Sequence, residues 1–442
     1  MREFDVVVIG TGMAGQPAAS RCAKAGARVA IVDALPYGGT CMLRGCDPKR
    51  VMLEASYVVE RAEALRGGGI ASAPHIDWGA LQSRKRSFTD PVPRETEESL
   101  KRLGVETLHG TAHVIGDGEI DVAGERLRAQ HIVIATGARP RTIDFPGAEL
   151  LTTSTQFLDL DELPKRAAFV GGGYIAFEFA ALSARGGADV RIVHSGAHAL
   201  HGFDSDLADM LVERYRSIGI DVVLNARVNA VEGEPGRLVM TTASGTFEED
   251  MAVHTAGRVP DVENLGLEAA DVRYDRNGVA VDETMRSITN PRFFAAGDAA
   301  SIGLPLTPVA SRHGGIAARN ILGESAAFDG TATPSVVFGD PPLACVGMCE
   351  ADLGDHAGDV DVVFNDMSSW FTSRRLGQTH SGSKVLVDKR SGLILGAHVL
   401  GAGAEEIISL FALAMRHGIK RDELRQLLTD YPTVSSDVQY MV

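Results

Sequence analysis

The chain of 442 residues is 45% apolar and only 6% aromatic, with 49 glycines. That composition suits soluble α/β domains with many tight strand-helix turns, and the length allows two to four domains, each with its own core. A net charge of −15 argues against nucleic acid or an anionic membrane surface as partner. No apolar run reaches transmembrane length. Five cysteines over this length do not make a disulfide framework, so closely spaced cysteines read as catalytic and the chain as a cytoplasmic enzyme.

Residues 4–9 form a short apolar run, the pattern of a parallel strand buried on both faces. Gly10, Gly12 and Gly15 follow as a GxGxxG turn, then a helical stretch to about residue 24 and a second strand at 28–32 closing on Asp33. This is a βαβ unit of the dinucleotide-binding kind. Its glycines let the backbone approach a pyrophosphate at the helix N-terminus, and the Asp33 carboxylate is placed for ribose hydroxyls.

Next comes Gly38-Gly39-Thr40-Cys41-Met42-Leu43-Arg44-Gly45-Cys46-Asp47-Pro48-Lys49. Two cysteines five apart open a helical stretch. The positive end of a helix dipole favours thiolate and hence redox reactivity. A regular helix would hold these two Cα atoms too far apart for a disulfide. The pattern therefore predicts a distorted first turn, with Gly45 placed to allow it.

Downstream, residues 51–65 read as a helix, Gly67-Gly68-Gly69 as a loop and 90–103 as a charged, mostly solvated helix. Residues 105–135 fit short antiparallel strands and end at Thr136 and Gly137, and a domain boundary falls near Pro146-Gly147. The strand from 167 leads into Gly171, Gly173 and Ala176, a second fingerprint of the GxGxxA kind, and so to a second dinucleotide. Its second strand, 190–193, ends at His194-Ser195, with no Asp or Glu where an NAD ribose would want one. His198 and His201 lie close by in what reads as a loop, with plain surface histidines favoured over a 2′-phosphate contact or a metal site. Strand-like segments occupy 220–255, and the second domain ends near 262. After Thr333 come strands at 384–388 and 393–399 and an apolar helix at 405–417. Cys345 and Cys349 read there as structural thiols.

Gly39-Thr40-Cys41, Gly45-Cys46 and Pro48-Lys49 resemble the redox-active centre of the class I flavoprotein disulfide reductases, the family of glutathione reductase, dihydrolipoamide dehydrogenase and mercuric reductase. Leu43 departs from that family's usual Asn, and Asp47 from its usual apolar residue. The resemblance extends over nearly the whole chain. It implies an α/β fold with two Rossmann-like nucleotide-binding domains and a C-terminal α+β dimerisation domain. The expected parts are an FAD domain (1–147 and 263–330), an NAD(P) domain (148–262) and a dimerisation domain (331–442). In this resemblance FAD contacts come from Gly10, Gly12, Gly15, Asp33, Gly39 and Thr40. They are joined by the ATG turn at Thr136-Gly137, by Gly297-Asp298 of the second flavin motif and by Thr307. The nicotinamide coenzyme would meet Gly171, Gly173, Tyr174, Ile175, His194, Ser195 and the GRxP turn at Gly257-Arg258, with Tyr174 as gate. Lys49 and Glu178 match an ion pair beside the flavin.

The resemblance further implies hydride transfer from nicotinamide to flavin, then two electrons to a Cys41–Cys46 disulfide and on to a small-molecule acceptor. Cys46 is then the flavin-proximal thiol and Cys41 the outward thiol. The active site would be shared across a homodimer. Pro432-Thr433 matches the family's terminal His-Pro-Thr, with Tyr431 in place of His, so Tyr431 is the expected catalytic residue from the second subunit. Donors without a carboxylate near His194 favour NADPH over NADH modestly. A disulfide acceptor leads. A metal ion of the mercuric type, a quinone, or a redox sensor with little turnover are the alternatives, although vicinal C-terminal cysteines of the mercuric kind are absent from Tyr440-Met441-Val442.

Overall fold

The computed structural model describes all residues 1–442. The chain divides into two compact units. The first comprises Met1–Arg50, Ser83–Arg141 and Arg258–Gly330; the second comprises Val51–Gln82, Thr142–Gly257 and Thr331–Val442.

The first unit is built on a sheet whose parallel part runs Glu106–His109, Val29–Asp33, Arg2–Ile9, Glu125–Ile134. Phe293–Ala295 adds in parallel to the C-terminal half of Glu125–Ile134. Glu119–Val122 and Ala112–Gly116 continue antiparallel from its N-terminal half. The continuous apolar runs are explained by burial on both faces. Val7, Ile9, Ile132 and Ile134 enter one core, while Val6, Val8, Ile31 and Val133 enter another with Ala18 and Ala19 of the helix Gly15–Lys24. The segment 105–135 is thus only partly the antiparallel set its alternation suggests: Glu106–His109 lies parallel to Val29–Asp33, because it completes the doubly wound sheet.

The second unit carries a four-stranded parallel sheet in the order Asp221–Val223, Asp189–Val193, Arg166–Val170, Met251–His254. A three-stranded antiparallel sheet spans residues 228–249. A five-stranded antiparallel sheet spans 335–400, with the helix Ala404–His417 packed on it through Ile407, Ile408 and Phe411. One buried charge ties these parts together. Lys384, on the strand Gly382–Asp388, is almost fully buried and meets Asp204 at 3.0 Å, Asp206 at 2.6 Å and Glu350 at 2.7 Å. Asp204 also caps the helix Ser205–Ser217, accepting from the Asp206 N–H. Removing one partner of such a buried set leaves an uncompensated charge, which is why Lys384 is held by three.

Two helices differ from expectation. The helix expected at 51–65 starts at the cysteine, as Cys46–Ala64, and a helix Trp78–Thr89 precedes Val92–Arg102. No helix is long and apolar enough to cross a membrane.

His313, on the helix Thr307–Ile321, is fully buried against Phe328, edge to face at 4.3 Å, and neither ring nitrogen has a hydrogen-bond partner. Burial holds its pKa down at about 4, below the ordinary 6.5. The unfolded chain therefore binds a proton that the folded chain refuses, and stability is lost as pH falls from about 6.5 toward about 4. His313→Leu should remove roughly 2 kcal/mol of the stability difference between pH 7 and pH 5, read from urea midpoints at the two pH values. An unchanged pH dependence would show that the imidazole is not buried neutral.

Candidate active site

In the first unit the glycine turn Gly10–Gly12 leads into the helix Gly15–Lys24, which has no side-chain cap and no acid in its first turn. Asp33 braces that turn, its Oδ2 accepting from the Thr11 N–H at 2.8 Å and the Thr11 hydroxyl at 2.6 Å. In the second unit the helix Tyr174–Arg185 likewise lacks a side-chain cap and a first-turn acid. Both helix N-termini thus present an uncapped, positive dipole end, the arrangement that suits the pyrophosphate of a dinucleotide.

The Cys41 segment packs directly against the first glycine turn. A Cβ on Gly39 would lie 2.4 Å from Gly12 Cα, so Gly39 must be glycine for this approach, whereas a Cβ on Gly12 would meet Gly39 Cα at an ordinary 3.8 Å. The distortion expected between the cysteines is present. The helix Gly39–Arg44 ends at Gly45 (φ −145°, ψ −110°), and Cys46 begins the helix Cys46–Ala64. Cys41 therefore belongs to the first helix and Cys46 to the N-terminus of the second.

Both cysteines are free thiols here, and a third group holds them together. Thr307 begins the helix Thr307–Ile321; its hydroxyl donates to Cys41 Sγ at 3.0 Å and contacts Cys46 Sγ at 3.4 Å. The two sulfurs divide their proton unequally. The Cys41 thiol donates to Cys46, which lowers the Cys46 pKa to about 6, assisted by the Thr307 hydroxyl and the Lys49 charge and opposed by burial. The same hydrogen bond, with burial, pushes Cys41 well above the ordinary thiol range. Near neutral pH the pair is a Cys46 thiolate and a Cys41 thiol. Asp47 stands on the same turn, its Oδ1 4.0 Å from Cys41 Sγ.

Other expected residues of the first unit are held by contacts of their own. Thr136 of the ATG turn donates to the Asp261 carbonyl at 2.6 Å. The strand Arg258–Pro260 pairs with Ala138–Pro140, and the Arg258 guanidinium donates to the Ala138 carbonyl. Asp298 lies in a 3₁₀ turn, Gly297–Ala299; burial raises its carboxyl, and the Arg258 charge draws it back down.

In the second unit Tyr174 and Ile175 open the helix after Gly173, and the Tyr174 side chain is half exposed. Glu178 is fully buried on that helix, its Oε1 accepting from the Phe338 N–H at 2.9 Å. Tyr431 is 77% exposed, beside the Thr433 side chain that caps the turn Val434–Asp437. Cys345 and Cys349 both donate weakly to the Gly202 carbonyl at 3.8 Å, and burial pushes their pKa values up to about 12 and about 11. Burial thus keeps both protonated as thiols.

His194 changes character. Its Nδ1 accepts from the Gly172 N–H at 3.1 Å and its Nε2 donates to the His198 carbonyl at 3.0 Å. Burial lowers its pKa. Both nitrogens are engaged by a neutral ring, an arrangement that disfavours the charged imidazole a phosphate ligand would use. It braces its glycine turn instead, and the parallel with Asp33 is close: each stands 22 residues beyond the middle residue of its turn and accepts from that residue's N–H. No group of three or more His, Cys, Asp or Glu side chains is arranged to hold a metal ion.

Residues 4–314 match the pyridine nucleotide-disulphide oxidoreductase family, and residues 333–442 match its dimerisation domain. The chain belongs to the pyridine nucleotide-disulphide oxidoreductase family. It is an FAD-dependent enzyme that uses a pyridine nucleotide, and its dimerisation domain makes it a homodimer. Among its relatives, a glutathione reductase of Burkholderia cepacia is 34% identical, with 98% of this chain and 97% of the relative covered. A dihydrolipoyl dehydrogenase of Haloferax volcanii is 32% identical, with 98% and 94% covered. A solved Cu(II) complex of the HOCl-induced flavoprotein disulfide reductase RclA from Escherichia coli superposes with a TM-score of 0.89 at 26% identity, covering 100% of this chain and 99% of that one. Cys41 and Cys46 are the redox-active pair of this oxidoreductase.

The Thr307 hydroxyl supports the Cys46 thiolate, so Thr307→Ala should raise the Cys46 pKa above about 6, by roughly one unit. Iodoacetamide labelling of Cys46 in the reduced holoenzyme, followed against pH with peptide mapping, measures this. A midpoint that stays in place would remove Thr307 from the thiolate's support.

Proposed function

We propose that this oxidoreductase reduces a small disulfide in the cytoplasm, drawing electrons from NADPH in preference to NADH. One observation carries the reading: a thiol and a thiolate, Cys41 and Cys46, bridged by a single hydroxyl at a helix N-terminus. FAD, when bound, accepts a hydride from the nicotinamide and passes two electrons to the disulfide. The chain's own residues do the rest. Gly10, Gly12, Gly15, Asp33, Thr136, Gly137 and Asp298 hold the flavin nucleotide, with Gly39 and Thr40 at its edge. Gly171, Gly173, Ile175, Ser195 and Gly257 hold the nicotinamide coenzyme, and Tyr174 covers it. Lys49 and Glu178 supply charge for the flavin ring, as the family resemblance implies. Cys41 attacks the acceptor and Cys46 resolves the mixed disulfide. The partner subunit's Tyr431 faces the acceptor as a hydrogen-bond donor through its hydroxyl.

A second reading, reduction of a metal ion such as Cu(II), is favoured by the likeness to RclA, whose solved structure is a Cu(II) complex. Anaerobic titration of the holoenzyme should take up about four electrons per subunit, two for flavin and two for the disulfide. Steady-state NADPH oxidation should be faster with glutathione disulfide or lipoamide than with Cu(II) or a quinone. An uptake of two electrons would make the pair inert, and faster turnover with Cu(II) would install the second reading.

The coenzyme preference rests on a neutral His194 where an NAD enzyme would hold a carboxylate. His194→Glu keeps an acceptor for the Gly172 N–H and adds a charge that repels a 2′-phosphate. The NADPH:NADH ratio of kcat/KM should fall about 10-fold. An unmoved ratio would place the discrimination elsewhere.

A further inference from the structure

The site has a proton problem. Cys41 must lose its proton to attack, yet its thiol is held well above the ordinary range. The departing half of an alkyl disulfide must gain a proton. The proton cannot remain on Cys46, which has to be a thiolate to resolve the mixed disulfide. The group within reach is the carboxylate of Asp47, with Oδ1 4.0 Å from Cys41 Sγ, at the long end of a sulfur hydrogen bond. It stands in the first turn of the helix Cys46–Ala64, and the break at Gly45 turns that helix so that Asp47 meets the outward sulfur.

We propose that Asp47 is a further catalytic residue, the acid–base that carries the Cys41 proton to the departing sulfur of the acceptor. This rests on the disulfide-acceptor reading above. As Cys41 attacks one acceptor sulfur, its S–H bond breaks and the proton passes to Asp47 Oδ1. The acceptor S–S bond breaks, its electron pair leaves on the second sulfur, and Asp47 gives that sulfur the proton, releasing the first thiol. The Cys46 thiolate then attacks the Cys41 sulfur, reforming the Cys41–Cys46 disulfide and expelling the second thiolate, which takes its proton from water. Two cysteine sulfurs are oxidised, two acceptor sulfurs are reduced, and Asp47 ends ionised as it began.

Burial raises the Asp47 carboxyl toward the range where such a shuttle works. The charged and polar neighbours that bear on the pair are Cys46 and Lys49 of its own helix and Thr307 of the helix Thr307–Ile321.

The test uses NADPH-reduced holoenzyme, wild type, Asp47→Asn and Asp47→Glu, reoxidised anaerobically by two disulfides. Bis(2-hydroxyethyl) disulfide releases a basic thiolate that needs a proton. Dithiobis(nitrobenzoate) releases an acidic one that does not. Asp47→Asn should slow the first by about 10²-fold or more and the second much less, with Asp47→Glu recovering part of the loss. Equal losses with both reagents, or none, overturn the proposal. Iodoacetamide labelling of Cys41 against pH needs no acceptor. Its midpoint moves in Asp47→Asn if carboxyl and thiol share a proton, and an unmoved midpoint overturns the proposal even where no disulfide is reduced. Wild-type enzyme that accepts electrons from NADPH but yields them to neither disulfide defeats the acceptor reading alone, and the labelling arm still decides Asp47.

Discussion

The contact between Gly12 and Gly39 governs the chemistry of the first unit. Two backbones meet there at a separation that leaves no space for a side chain on Gly39. One belongs to the turn that opens a nucleotide-binding helix, and the other opens the helix bearing Cys41. Because neither can shift without collision, the sulfur pair is placed rigidly relative to the turn, and electron transfer requires fixed placement more than any strong interaction. Gly45 then releases the helix register, so that two residues five apart share one hydroxyl rather than diverging along a single helix.

The asymmetry between the sulfurs follows from that placement. A symmetric pair would titrate as two equivalent thiols. Here the helix terminus and Lys49 favour charge on Cys46, Thr307 favours charge on either sulfur, and Cys41 keeps the proton and faces a carboxylate. The protein thus divides labour between chemically identical side chains by geometry alone. For the two thiols of the second unit burial outweighs the support of Lys384 at Cys349 and of the Ser335 backbone at Cys345, and both are pushed up.

Much of this was legible in the sequence because it is local. Strand, glycine turn, helix and second strand repeat at fixed spacing in both nucleotide units, and the cysteine spacing itself demanded a broken helix. Features that depend on distant partners were not legible. The helix Trp78–Thr89 escaped because part of its inner face is hydrogen-bonded rather than apolar: the Trp78 indole donates to the Leu160 carbonyl and Gln82 to the Leu158 carbonyl. Glu106–His109 has the alternation of an antiparallel strand, and only its neighbour makes it parallel. Asp47 was visible as a departure from the family pattern, but its meeting with Cys41 requires the backbone angles of Gly45. His194 was visible as a missing carboxylate, and its bond to Gly172 required the folded turn.

The matched bracing by Asp33 and His194 has an evolutionary consequence. In both units the residue at the end of the second strand has a structural task, to accept one N–H from the glycine turn, and, in the proposed reading, a second, to meet the ribose of the bound dinucleotide. The first task asks only for a lone pair at the right distance. Carboxylate and imidazole satisfy it equally, so the position can drift among acceptors without loosening the turn. Coenzyme choice is thereby uncoupled from folding at this one site, and a lineage could exchange one reductant for another through single substitutions that the scaffold does not register.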